Sequence, residues 1–179
     1  IRFSLDECKD LPATNYVDRV TQLTTQQAKA FKEMQERAIA VFTEGSVAAP
    51  NTAVMLSKLL QICCGVVYSE ETSIEIDAKD RYNTLTELLN EIGGKAIVFV
   101  PLKGVQYWLE EKLTADGYDV ALVNGDVKGA DRDKIFNDFQ HTDSAHILLA
   151  HPKVAAHGLT LTRAKDVIWF APIYSLEQY

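Results

Sequence analysis

Four short apolar runs, each closed by turn chemistry, constrain this chain more than any other feature. They are Ala96 to Val100 before Pro101, Val120 to Val123 before Asn124-Gly125, Ile147 to Ala150 before His151-Pro152, and Val167 to Ala171 before Pro172. Unbroken apolar runs of this length read as strands buried on both faces of a parallel sheet, and parallel strands need long crossovers between them. The intervening stretches have the required helical spacing: Val105, Trp108, Leu109 and Leu113 before Gly117, then Ile135, Phe136 and Phe139. A helix marked by Tyr82, Leu85, Leu88, Leu89 and Ile92 precedes the first strand and stops at Gly93-Gly94. The order is β-α-β-α-β-β with right-handed crossovers expected. Open parallel sheets handle ligands beyond the carboxyl ends of their strands. Pro101 to Gly104 and His151 to Thr162 are therefore expected at one edge of the sheet.

The residues ahead of this layer read differently. Thr24 and Gln27 have capping-box spacing before the apolar stripe Ala28, Phe31, Met34, Ala38 and Val41, which predicts a helix of about five turns stopping at Gly45. A second helix is expected from near Asn51 through Met55, Leu59 and Ile62 to Gly65, followed by a hairpin or extended excursion over Val66 to Ile76. The expected division is a linker and helical extension with a short hairpin at 1–77 and an α/β layer at 78–179.

Composition narrows the function. A chain of 179 residues with 47% apolar content has enough material for one domain with an extension. Its net charge of −7 gives no global attraction to nucleic acid, so any such binding must be local, through Lys103, Arg132, Lys153, Arg163 and Lys165 near the expected edge. No run approaches a membrane span and the first residues hold no apolar signal-peptide core. Cys8, Cys63 and Cys64 form no CxxC units and read as reduced thiols, with no metal site expected.

The order of motifs goes further. LPATNYVDRV with LTTQQ, then LSKLLQICCG, GGKAIVFVPLKG, NGDVKGADRDKIFNDFQ and HGLTLTRAKDVIWFAPIYSLEQY together resemble the second RecA-like lobe of a superfamily 2 helicase of the Swi/Snf type, closest to compact bacterial and phage-type members. The resemblance covers nearly the whole chain. It implies a RecA-like, P-loop-NTPase-type parallel sheet flanked by helices, with an N-terminal helical extension. It also implies a parent enzyme that binds ATP and Mg²⁺ between two lobes and moves along DNA; no membrane partner is expected.

Residue by residue, the resemblance assigns Pro101, Leu102, Lys103 and Gly104 to motif IV, a turn where helix N-terminal amides and one lysine can hold a nucleic-acid phosphate. The alternative for Lys103 is a solvated lysine. Arg132 falls on the arginine of the family's Gly-Arg-Ile-Phe pattern, either at nucleic acid or paired with Asp126, Asp131 or Asp133. In motif V, Gly158 and Leu159 are assigned to the nucleotide, and His151, Lys153, His157 and Thr160 to nucleic acid. This sequence departs from the family there: His151-Pro152 stands where Ser-Thr is common, and Ala155 and Ala156 replace paired glycines. For His157 a solvent-facing loop position is the alternative.

Ser175 and Gln178 have the cap spacing of the helix that carries motif VI, whose arginine fingers the family places after the position of Tyr179. The 179 residues contain no GxxxxGK[ST] and no Asp-Glu magnesium motif, both of which lie on the first lobe in these enzymes. The reading is the C-terminal lobe of an ATP-dependent DNA helicase or translocase, partnered by the first RecA-like lobe and by DNA, expected duplex. As an isolated fragment it is expected to be inactive, with no catalytic residue of its own. The expected location is the cytoplasm of a bacterial or phage-infected cell, or the nucleus of a eukaryote. The alternatives are a stand-alone nucleic-acid-binding or protein-interaction module, and a Rossmann-like enzyme, for which the PLKG turn lacks GxGxxG.

Overall fold

The computed structural model describes residues 14–42, 45–69, 72–155 and 161–173. The first helix, α1 (Thr25–Arg37), opens on the expected capping box, with the Thr24 hydroxyl accepting from the Gln27 amide and the Gln27 side chain accepting from the Thr24 amide. It is shorter than expected. Ala38 turns into the left-handed region at φ 55°, and the chain enters an antiparallel hairpin of β1 (Ile39–Phe42) and β2 (Gly45–Ala48). The reason lies in the residues: Ile39, Ala40, Val41 and Phe42 alternate exposed and buried. A period-two pattern of β-branched residues thus replaces the fifth helical turn.

Helix α2 (Thr52–Cys64) starts where Asn51 accepts from the Val54 amide and ends at Gly65, which has φ 93°. A Cβ on Gly65 would lie 2.7 Å from that of Ala78, so both backbone sign and close packing require glycine there. The expected excursion is a hairpin of β3 (Val66–Tyr68) and β4 (Ser73–Glu75).

The α/β layer follows as α3 (Lys79–Ile92), β5 (Ala96–Phe99), α4 (Lys103–Ala115), β6 (Val120–Val123), α5 (Gly129–His141), β7 (Ile147–Ala150), the one-turn α6 (Pro152–Ala155) and β8 (Asp166–Trp169). The strands form one four-stranded parallel sheet in the order β6-β7-β5-β8. The two central strands are the most apolar runs, and all four residues of β7 are buried. At the border, β8 leaves Asp166 and Val167 exposed, and the buried Phe170 and Ala171 lie just past its end.

Alternation along the strands divides the core. Val98 and Leu149 pack into a cluster with Leu85, Leu109 and Leu113 from α3 and α4, while Ile97 and Leu148 join Phe136 and Phe139 of α5. Helices therefore cover both faces. The first cluster also takes in Cys64 and Val66, so the β3 hairpin shares the core of the layer, whereas α1, the β1 hairpin and parts of α2, β3 and β4 surround Met34 and Ile62 in a cluster of their own.

Candidate nucleic-acid interface

Parallel register brings the strand ends together. Phe99 pairs with Ala150 and with Trp169, and Val123 with Ala150. The chain leaves β5, β6, β7 and β8 at the same edge, so the Pro101–Gly104 turn and the described start of the His151 loop are neighbours, as the strand order requires. Two main-chain bonds extend the contact beyond the strands: His151 N–H donates to Val123 O at 3.0 Å and Val100 N–H to Ala150 O at 3.0 Å.

At the turn after β5, Lys103 begins α4 and its ammonium meets the Asp126 carboxylate at 2.5 Å. Asp126 also accepts from the Tyr107 hydroxyl at 2.6 Å, and its amide donates to Asn124 Oδ1 at 2.9 Å. The hydrogen bonds from Lys103 and then Tyr107 hold the Asp126 carboxyl below its ordinary range, and Asp126 in turn raises Lys103. The pair is solvent-exposed on both sides, so a phosphate can exchange with the carboxylate. Gly104 N–H donates to the Tyr68 hydroxyl at 2.6 Å. That amide is committed to a protein acceptor, so it is not open to the phosphate expected at the helix amides of this turn.

Arg132 lies in the first turns of α5, at the same edge, half-buried. Among the described residues it makes no ion pair, and Asp126, one of its expected partners, is engaged by Lys103. The His151 ring is half-buried and its Nδ1 accepts from the Lys153 amide at 3.1 Å. Burial first, and the Lys153 charge second, lower its pKa, against the opposing pull of the Pro101 backbone. The ring is therefore neutral near pH 7, with Pro101 and His151 from two different loops in mutual reach. Lys153 is exposed on α6.

Two basic residues expected at this edge are elsewhere. Arg163 pairs with Asp143 at 2.8 Å and its amide donates to Gln140 Oε1 at 3.1 Å, beside the carboxyl end of α5. Lys165 precedes Asp166, which pairs with Ala96 at the start of β5. The chain has crossed back to the amino end of the sheet before either residue, because β8 runs parallel to β5. His157, Gly158, Leu159 and Thr160 lie outside the described residues, as do the leading segment through Pro12, Cys8, and Ser175, Gln178 and Tyr179.

Sequence reasoning missed Arg81, whose Nη1 donates to Phe170 O at 2.5 Å just past β8, with its guanidinium 5.4 Å from the Phe170 ring centroid. A basic residue in the first turn of α3 opposes the helix dipole as Arg132 does, and that was a readable signal. Tyr68 carried no local signal, since its contact with Gly104 spans 36 residues. Among the described residues no cluster of His, Cys, Asp or Glu could hold a metal ion, and no helix is long and apolar enough to cross a membrane.

Residues 80–179 match the family described as helicase conserved C-terminal domain. The chain is 32% identical over 92 residues to Protein CHROMATIN REMODELING 24 of Arabidopsis thaliana, a match covering 51% of this chain and 8% of that protein. It is 30% identical over 108 residues to the ATP-dependent RNA helicase FAL1 of Eremothecium gossypii, covering 59% of this chain and 27% of that one. The chain thus spans a small part of the length of these relatives. Its fold is similar to that of the Sulfolobus solfataricus SWI2/SNF2 ATPase C-terminal domain, at a TM-score of 0.63 and 20% identity, covering 84% of this chain and 68% of that one.

Proposed function

Since the chain belongs to the helicase conserved C-terminal domain family, we propose that it is the second RecA-like lobe of a Swi/Snf-type ATPase that couples ATP hydrolysis to movement along duplex DNA. The observation that carries the Swi/Snf assignment is the extent of the fold likeness. A match over 84% of this chain must include much of the leader ahead of residue 80, not the α/β layer alone. Residues 1–77 then act as the linker and helical extension and 78–179 as the lobe itself.

In this reading the carboxyl edge carries the nucleic-acid backbone. Lys103, Arg132 and Lys153 supply charge, Pro101 and Leu102 shape the first turn, Gly104 follows in the first turn of α4, and His151, its ring held between the Lys153 amide and the Pro101 backbone, sets the second loop of the track beside the first. The same reading assigns His157 and Thr160 to nucleic acid, and Gly158 and Leu159 to the nucleotide between the lobes. ATP supplies the phosphoryl group and Mg²⁺ its charge neutralisation, but the described residues offer neither a phosphate-gripping lysine loop nor a carboxylate set for the ion. Both are assigned to the first lobe. The role of this one is to hold nucleic acid and to open and close the cleft.

ATPase assays with duplex DNA, single-stranded DNA and RNA test the proposal. The 179-residue chain is expected to show no turnover with any of them, and the two-lobed parent to be stimulated by duplex DNA. Stimulation by RNA alone would move the protein to the RNA-helicase branch, and turnover by the isolated chain would remove the two-lobe account.

A further inference from the structure

Helix α4 has no side-chain cap of its own, because Leu102 stands at its N-cap position. An N-cap side chain ordinarily accepts from the amides of the second and third helical residues, here Gly104 and Val105. Those amides are served from elsewhere. The Tyr68 phenolic oxygen accepts from Gly104 N–H at 2.6 Å and also lies within hydrogen-bonding influence of the Val105 amide. Tyr68 ends β3, in the hairpin that precedes the α/β layer.

The approach is built on both sides. A Cβ on residue 104 would lie 2.5 Å from Tyr68 Cε1, so glycine is what allows the ring in. On the hairpin side, the Tyr68 amide donates to the buried Gln61 Oε1 at 2.9 Å and the Tyr68 carbonyl accepts from Lys58 Nζ. Tyr68 is thus pinned to α2 through its main chain and to α4 through its hydroxyl. Lys103, one residue before Gly104, is close enough for its charge to act on the phenol.

We infer that Tyr68 is a positioning residue for the nucleic-acid grip: the leader hairpin supplies the missing cap of α4, and so fixes the backbone from which Lys103 reaches the carboxyl edge. The inference rests on the reading of that edge as a nucleic-acid track. Its physical content is that a helix N-terminus, which would otherwise attract an anion, is filled by a neutral phenol. Discrimination of the backbone at this turn is left to one lysine whose direction the hairpin sets. The hairpin and the track then move as one unit when the lobe moves.

The test uses the two-lobed parent with Tyr68→Phe, Lys103→Ala and the double variant. Tyr68→Phe keeps the ring against Gly104 and removes only the oxygen. It is expected to raise the duplex-DNA concentration for half-maximal ATPase about three- to tenfold, the size of losing one hydrogen bond that orients a charged group. kcat at saturating DNA should stay within about twofold, and amide exchange should accelerate at Gly104 and Val105. Because Tyr68 acts through Lys103, adding Tyr68→Phe to Lys103→Ala should weaken DNA binding no further. Full additivity of the two, or unchanged DNA dependence in Tyr68→Phe while Lys103→Ala weakens it, would overturn the inference and leave the track standing. Unchanged DNA dependence in Lys103→Ala would remove the track at this turn, and the inference with it.

Discussion

Asp126 decides how much of Lys103's charge is available. The carboxylate holds the ammonium at 2.5 Å and is itself held by the Tyr107 hydroxyl. In the proposed function, an incoming phosphate must displace it. Asp126→Asn should therefore tighten duplex binding by the parent about two- to fivefold at low salt, with the advantage shrinking as salt rises, because the gain is one uncovered charge. A titration at two salt concentrations reads this, and weaker binding by the variant would place Asp126 itself on the DNA. His151 gives a second residue-level test. Its folded pKa lies below the ordinary imidazole value, so the unfolded chain binds the proton more readily. The stability it contributes is whole above that ordinary value, near 6.5, and is lost as the pH falls from there through the folded pKa. The His151 NMR titration midpoint should fall below that of a free imidazole, and His151→Gln should flatten this acid limb of the stability profile. At this scale the sequence set Lys103 and His151 beside strand ends by their place after apolar runs, and the family resemblance assigned Arg132 and Lys153. It could not show that Gly104 answers to Tyr68, because that reason lies 36 residues away.

Elements were legible where one periodicity acted alone. The central strands, α3, α4 and α5 each carried one unambiguous pattern, and the Thr24/Gln27 box located the start of α1. Its end was not legible, since Ala38 and Val41 satisfy the helical stripe while Ile39 to Phe42 satisfy strand alternation. Pairing with Gly45–Ala48 decided between them. Arg163 and Lys165 were misplaced for a similar reason: a loop of undetermined path gives no indication of where it crosses from one end of the sheet to the other. Gln27 joins two elements, its Nε2 donating to the Ile62 and Cys63 carbonyls at 2.8 and 3.1 Å while its Oε1 completes the capping box. It is 2% exposed. Gln27→Ala leaves the terminal carbonyls of α2 and the Thr24 amide without this partner in a buried place, and should cost about 2–3 kcal/mol in chemical denaturation. A loss under about 0.5 kcal/mol would mean that water replaces the side chain.

For the whole molecule, a chain of net charge −7 can hold nucleic acid only where its cations are gathered and its carboxylates are displaceable. The parallel sheet does the gathering. Strand ends in register place Lys103, Arg132 and Lys153 at the helix starts of one edge, and the return of the chain before β8 takes Arg163 and Lys165 to the other. This separation gives the account its most direct test: the salt dependence of duplex-DNA binding by the two-lobed parent, measured for Lys103→Ala/Arg132→Ala/Lys153→Ala and for Arg163→Ala/Lys165→Ala. The account predicts at least about a tenfold loss of affinity and a salt slope shallower by roughly two to three for the carboxyl-edge triple variant, with the amino-edge double variant close to wild type. Equal losses in both, or a loss confined to the amino-edge variant, would contradict it.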